Sequence, residues 1–442
     1  MSPTPRAAIV LAVIAAAALL APLGLVVLAV VALLAAVAVD VLAARRVPDV
    51  RRDVPEVLSR GVPGPLLVRA PAPPGGALRV RQPVPPGLRV EPPVGDGGLE
   101  AAVVAGIRGR HVLPAVAARV TGPLGLGRWD HARGGTAEVR VFPDLRTARR
   151  LALAVARGRF RDTGATARGP LGLGTEFELV RDYEPDDDIR QVNWRATARL
   201  GRPMSNQYRL EQDRDLILLI DAGRLSAAPL RGDDLGARPT VGERVGASGG
   251  RAPLGDERVV TVLDAVLDTA AALAFVADEL GDRCGAVAFD DGVRVALPPR
   301  RAGGAAVVRA LFDLQSRPVD SDYELAFRRA EGSKRALVVV LCDLLEEAAA
   351  RPLVAAVPVL TRRHAVIVAC PSDPALEAIA ASGAPGALAT ARAVVAGDVL
   401  AARTRAARNV RAAGARVLEA PPGKLPATVV AAYLRAKARA VL

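Results

Sequence analysis

The densest concentration of chemistry-bearing side chains lies between Val180 and Arg199, VRDYEPDDDIRQVNWRATAR. It holds five acids, four arginines, Tyr183 and one of the two tryptophans of the chain, Trp194. Neighbouring carboxylates such as Asp187 and Asp188 are the residue types for paired acid and base work, but carboxylates beside arginines ordinarily stay ionised and structural. The segment has no His or Cys, and Ser205 beyond it has no evident activating base. A different chemistry fits better. Arg181, Arg190 and Arg199 can pair with the carboxylates in fixed bidentate geometry, and Tyr183 and Trp194 can stack on guanidinium planes. Such a strip would be a charged brace pinned by aromatic side chains. The same residues would serve as a protein-docking surface.

A second concentration is spread along the chain. Asp221 ends the apolar run Leu216–Ile220, and Asp343 follows the apolar run Ala336–Cys342. Two carboxylates at strand ends can hold a divalent cation, and Mg²⁺ would take oxygen ligands there while keeping several waters. Asp221 is followed by Ala222-Gly223-Arg224-Leu225-Ser226, so the first hydroxyl available on that loop is Ser226. The acidic residues at this edge could also be read as a hydrolase site, though nothing in the sequence names a substrate.

The remaining candidates are thin. His111, His131 and His364 are far apart, as are Cys284, Cys342 and Cys370, and none of the cysteines forms a C-x-x-C pair. An odd, widely spaced set argues against a disulfide framework and suits a reducing compartment. GPLGLG occurs at Gly122–Gly127 and again at Gly169–Gly174, but neither copy is followed by Gly-Lys-Ser/Thr, so both read as turns rather than phosphate loops. The net charge is +13, carried almost wholly by Arg, since Lys occurs only at Lys334, Lys424 and Lys437. That excess would favour anionic lipid or an acidic partner. The arginines are scattered with no aromatic interleaving, so nucleic-acid binding is not expected.

The elements that must position these residues begin with Ala7–Val39, a run without charge. As one straight helix it would measure ~50 Å, against a hydrocarbon core of ~30 Å. Pro22 and Gly24 interrupt it, which suggests a hairpin of two spans over residues 1–46; one tilted, kinked span is the rival. Arg6 and Arg45, Arg46, Arg51 and Arg52 flank the run and would place both ends in the cytoplasm. Residues 47–143 alternate short apolar–polar strands with Pro- and Gly-rich turns, which implies a β-sandwich-like spacer. A helix over about Asp144–Arg157 follows, and residues 144–213 read as a connecting segment. From 214 to 442, strands alternate with helices, which implies a mostly parallel sheet covered on both faces, with an insertion at about 230–258. Ligands of such sheets bind beyond the carboxyl ends of the strands, where Asp221 and Asp343 lie. The expected protein is therefore multi-domain, with an α/β, Rossmann-like C-terminal domain.

A strand ending in Asp, then hydroxyl residues, then a later strand ending in Asp resembles the von Willebrand factor A domain. Its Asp-x-Ser-x-Ser metal motif is degenerate here, with Ser226 one position late, and Ser321 and Asp322 stand where its distant Thr would be. The order Glu176-Phe177, Arg181, Tyr183, Asp187-Asp188, Arg190, Val192, Trp194, Ala198-Arg199, leading into Asp215–Asp221, resembles the signature of the bacterial DUF58 family, with Asp186 in place of the usual Gly. That resemblance implies a membrane-anchored adaptor without enzymatic activity of its own, partnered by a MoxR-type AAA+ ATPase in a system for assembly or metal insertion. The alternative is a cell-envelope binding or adhesion module.

Overall fold

The computed structural model describes residues 2–158, 160, 176–184, 189, 192–209, 214–230, 260–331, 335–345, 347–383 and 386–438. The chain divides into two compact units, Met1–Phe142 and Pro143–Leu442. The insertion expected at 230–258 falls, from residue 231 on, outside the described residues, as does the second GPLGLG copy.

In the first unit a short strand β1 (Ser2–Pro3) leads into helices α1 (Pro5–Ala17) and α2 (Leu23–Ala44). The hairpin expected around Pro22–Gly24 forms, but unevenly: Ala18–Pro22 is the turn, and Leu23 and Gly24 already belong to α2. Proline disfavours the α conformation in the residue before it and supplies no N–H, so α1 cannot run on through Pro22. At 22 residues, α2 is long and apolar enough to cross a membrane, at about 33 Å; α1, with 13 residues, reaches only about 20 Å. Of the two spans expected, one thus has the necessary length.

The rest of this unit is β-rich. Strands β2 (Ala77–Arg81), β3 (Val94–Asp96), β4 (Val116–Thr121) and β5 (Gly127–Arg133) form with β1 an antiparallel sheet in the order β1-β5-β4-β2-β3. Their alternation buries one face: Leu78, Val80, Ala118 and Val120 are at most 3% exposed. They share a core with Val68, Val103, Val139 and Val141 from a four-stranded and a three-stranded sheet. The run Val112–Val120, continuous in the sequence pattern, is split between two strands at Pro114 and Ala115.

The second unit opens with α3 (Leu145–Ala156), capped by Asp144, whose side chain accepts from Thr147 N at 3.1 Å. A two-stranded ribbon, Glu176–Asp182 with Met204–Arg209, encloses α4 (Trp194–Leu200). Then come β6 (Asp215–Asp221), α5 (Val262–Glu279), β7 (Arg283–Phe289), β8 (Val293–Arg301), α6 (Gly304–Leu311), α7 (Tyr323–Glu331), β9 (Ala336–Leu341), α8 (Glu347–Thr361), β10 (Ala365–Pro371), α9 (Pro374–Ala380), α10 (Ala387–Ala412), β11 (Arg416–Ala420) and α11 (Leu425–Ala438). The six strands order as β8-β7-β6-β9-β10-β11, all parallel except the edge strand β8, which the Asp290–Gly292 turn folds back onto β7. The central strands β6 and β9 are buried throughout, as continuous apolar runs require. Ile217, Leu219, Val338 and Val340 pack with Phe327, Leu353 and Val410 on one face. On the other, α5 carries buried residues along nearly its whole length, in contact with α3, α6 and α11.

Candidate functional site

The parallel strands bring three carboxylates to the carboxyl edge of the six-stranded sheet, each buried and each held by its own donors. Asp221, the last residue of β6, is 4% exposed. Its Oδ1 accepts from Gly223 N at 2.8 Å and from the Ser321 hydroxyl; its Oδ2 accepts from Tyr323 OH at 2.5 Å. Gly223 is required by this approach, since a Cβ there would come within 2.8 Å of the Val319 carbonyl oxygen. Burial, with the Asp221 charge beside it, pushes the Tyr323 hydroxyl well above its ordinary pKa, so it serves as a proton-bearing donor.

Asp343 lies two residues past β9. Arg403 Nη2, from α10, donates to its Oδ1 at 2.9 Å and to the Pro371 carbonyl oxygen at 2.6 Å. The Asp343 carboxyl sits above the usual carboxylate range because burial outweighs the neighbouring guanidinium. Asp290, in the turn after β7, is 1% exposed, and its Oδ2 accepts from Arg294 Nη1 at 2.7 Å. Burial pushes Asp290 up, but the Arg294 bond and the Gly292 N–H prevail and hold it below the ordinary value.

The sequence pointed to Asp221, Ser226 and Asp343 as a degenerate cation site. Ser226 Oγ donates to the Gly223 carbonyl at 2.7 Å. Asp221 is satisfied by neutral protein donors, and Asp343 by an arginine. Among the described residues no group of three or more His, Cys, Asp or Glu is arranged to hold a metal ion. The donor set as folded does not fit Mg²⁺: the charge a cation would balance at Asp343 is already balanced by Arg403. Ser321, standing where the distant Thr was sought, does meet Asp221. Asp290, Tyr323 and Arg403 were not singled out from the sequence. The first lies in a tight turn, and the other two lie 102 and 60 residues from their partners.

Cys342 and Cys370 are neighbours behind this edge, with sulfurs 4.0 Å apart, both buried and free. The hydrogen bond shared with Cys342, together with burial, raises the Cys370 thiol well above its ordinary pKa, the opposite of what a nucleophile needs.

The charged strip folds as the ribbon and α4. Arg181 Nη1 donates to Asp182 O at 2.9 Å and lies 3.7 Å from Glu184. Asn193 caps α4 by accepting from Ala196 N at 2.9 Å and donates through Nδ2 to Asn206 Oδ1 at 2.8 Å. Thr197 Oγ1 accepts from Met204 N at 3.0 Å. These neutral contacts join α4 to the ribbon. Trp194 is 68% exposed, Tyr183 is half-buried and Arg199 is exposed. Asp187, Asp188 and Arg190 lie outside the described residues.

A family model described as "Protein of unknown function DUF58" matches residues 179–227 and 258–415, which take in the strip, the Asp221 and Asp343 edge and Arg403. This region belongs to the DUF58 family. No curated protein matches the chain. A solved structure, the cohesin module from a Clostridium perfringens family 33 glycoside hydrolase, is similar at 16% identity over 22% of this chain and 96% of that one; its TM-score of 0.16 carries no argument. Within the DUF58 region, large apolar side chains stand in solvent at Ile189, Trp194 and Leu200, and at Ile379, Leu388, Val394 and Val395 of α9 and α10.

Proposed function

We propose that this DUF58 protein is a membrane-anchored adaptor without enzymatic activity of its own, whose α/β unit docks a protein partner through the segment around α4. The observation that carries the reading is Trp194, exposed between the exposed Ile189 and Leu200, beside Asn193 and Thr197 whose side chains are occupied within the segment. Tryptophan is among the residues that most often dominate binding energy at protein interfaces. The partner we infer is a MoxR-type AAA+ ATPase, as the family resemblance implies. In this reading the β-rich unit is a sandwich-like spacer, the six-stranded unit is von Willebrand factor A-like, and both ends of the helical hairpin face the cytoplasm. The carboxyl edge supports a docking role over hydrolysis because Asp221, Asp290 and Asp343 are each held by their own protein donors.

The test is affinity purification of the full-length protein from its own membrane, with and without Trp194→Ala. Because Trp194 is exposed, the variant is expected to keep its fold by circular dichroism and to lose an AAA+ ATPase that the unaltered chain retains. Retention by both would move the docking surface elsewhere, and no ATPase with either would turn the reading towards envelope binding, which a topology reporter fused after Leu442 would then test.

A further inference from the structure

In the first unit, the ends of both N-terminal helices are fastened to one loop. Thr4 N donates to Leu126 O at 2.9 Å, and Thr4 Oγ1 donates to Gly125 O at 2.5 Å. The Asp40 carboxylate, fully buried near the end of α2, accepts from Leu124 N at 2.8 Å and from Leu126 N and Gly127 N at 2.7 Å each. This loop is the GPLGLG turn at Gly122–Gly127. Glycine is required at Gly127, where a Cβ would come within 2.8 Å of Val41 N. The exposed apolar surface of the helices runs from Ile9 on α1 to Leu42 on α2. A bilayer covering that surface would end at the loop, with its headgroup layer at the level of Thr4 and Leu124.

At this level a groove of about 650 Å³ opens on the outer face of the β1-β5-β4-β2-β3 sheet, beside Thr4 and Pro5. Its basic lining is Arg79, Arg119 and Arg128. Strand register sets Arg79 directly opposite Arg119, with Asp96 opposite Arg79 and Asp130 opposite Arg119. The row therefore reads acid, arginine, arginine, acid. Each arginine is drawn outward: Arg79 Nε donates to Asp96 at 3.0 Å, and Arg119 grips Asp130 at 2.6 and 3.2 Å. Like charges directly opposite on antiparallel strands repel; an anion seated between them reverses the sign of that contact. Arg128 and Thr121, paired in the next row towards α1, supply a third guanidinium and a hydroxyl. Guanidinium groups suit phosphate because their planar donors match its oxygens.

We propose that this groove binds the phosphate of an anionic phospholipid headgroup, held between Arg79, Arg119 and Arg128. The assignment rests on the reading that the N-terminal helices enter a membrane. It gives the arginine excess of this unit a local use: the anchor selects its lipid as well as its depth.

The experiment uses the full-length protein in nanodiscs of phosphatidylcholine alone, or of phosphatidylcholine with phosphatidylglycerol, and counts co-purified phosphatidylglycerol by mass spectrometry. The unaltered chain is expected to enrich phosphatidylglycerol over the disc composition. Arg79→Gln/Arg119→Gln/Arg128→Gln is expected to cut that enrichment at least about fivefold, the scale of one surface cation acting on an anionic lipid. Thr121→Glu, which leaves the arginines and their ion pairs in place, is expected to cut it as well and covers the case in which the triple variant fails to fold. Arg110→Gln, the same one-unit change of charge as Thr121→Glu but on a different sheet, should leave it unchanged. Equal enrichment in the unaltered chain and Thr121→Glu overturns the site, as does an equal loss with Arg110→Gln. Stripping of the lipid by millimolar inorganic phosphate would make this a free-anion site and overturn the lipid assignment. A chain that stays out of phosphatidylcholine discs overturns the anchor, whereas one that enters them without preferring phosphatidylglycerol overturns only the groove.

Discussion

The two edges of the six-stranded sheet use the same residue types to different ends. At the amino edge, Asp282, immediately before β7, is fully buried and gathers three donors: Lys437 Nζ at 2.5 Å, Tyr433 OH, and Arg214 N at 3.1 Å. Lys437 and Tyr433 come from α11, so this cluster fastens the C-terminal helix under β6 and β7. At the carboxyl edge the same kinds of donor are divided between two aspartates, Tyr323 on Asp221 and Arg403 on Asp343. Arg403 sits in the second half of α10. The first half of that helix carries Leu388, Val394 and Val395 into solvent. One edge is closed by its ion pair, and the other uses its ion pair to root an exposed helix. A buried charge pair is weak evidence for net stability but strong evidence that neither partner can be removed alone.

That contrast can be broken experimentally, and the largest effect is expected at the amino edge. Lys437→Ala leaves Asp282 buried and without its cation, which should cost about 3–5 kcal/mol, read as a lower midpoint in urea unfolding of the detergent-solubilised protein. A cost under ~1 kcal/mol would mean that water reaches Asp282 and that the edge is not closed.

Arg403→Ala should cost less, about 2–3 kcal/mol, because Asp343 can escape by taking a proton. A carboxyl whose folded pKa is raised favours the folded state at low pH, and that contribution is lost as pH rises through the raised value. Arg403 pulls the Asp343 pKa down, so its removal raises it further. The deficit of the variant should therefore be larger at neutral pH and shrink as the pH falls. A deficit independent of pH would show that Arg403 acts through packing or the Pro371 carbonyl alone.

Tyr323→Phe removes one donor from Asp221 while Ser321 and Gly223 remain, for an expected loss of about 1–2 kcal/mol; thermal unfolding of the variant checks it. The smallest effect is expected at Val394→Ser. As a solvent-facing position it should move stability by less than about 0.5 kcal/mol. A larger loss would place this half of α10 in the folded core and remove the difference between the two edges.

Much of this architecture was legible beforehand. Asp215–Asp221 and Ala336–Leu341 read as buried parallel strands because no other common element is both short and continuously apolar. The turn at Gly122–Gly127 was likewise a local signal. So was the placement of Asp221 and Asp343 at one edge, since parallel strands end on the same side. The even division of the N-terminal apolar run was the local reading that needed correction. Hydropathy there is uniform, and only the backbone geometry at Pro22 determines how many residues fall in each helix.

By itself, then, the sequence determined that Asp215–Asp221 and Ala336–Leu341 are buried strands and that Asp221 and Asp343 share one edge: properties of neighbouring residues, set by side-chain period and turn chemistry. Only the tertiary structure decided which donor answers each carboxylate. Asp40 meets a loop 84–87 residues away, Asp343 an arginine 60 away and Asp282 a lysine 155 away. A charged side chain looks alike in sequence whether it ends in water or in a buried pair. The choice is made by the packing that removes the water, and that packing depends on elements the chain brings together only after it has folded.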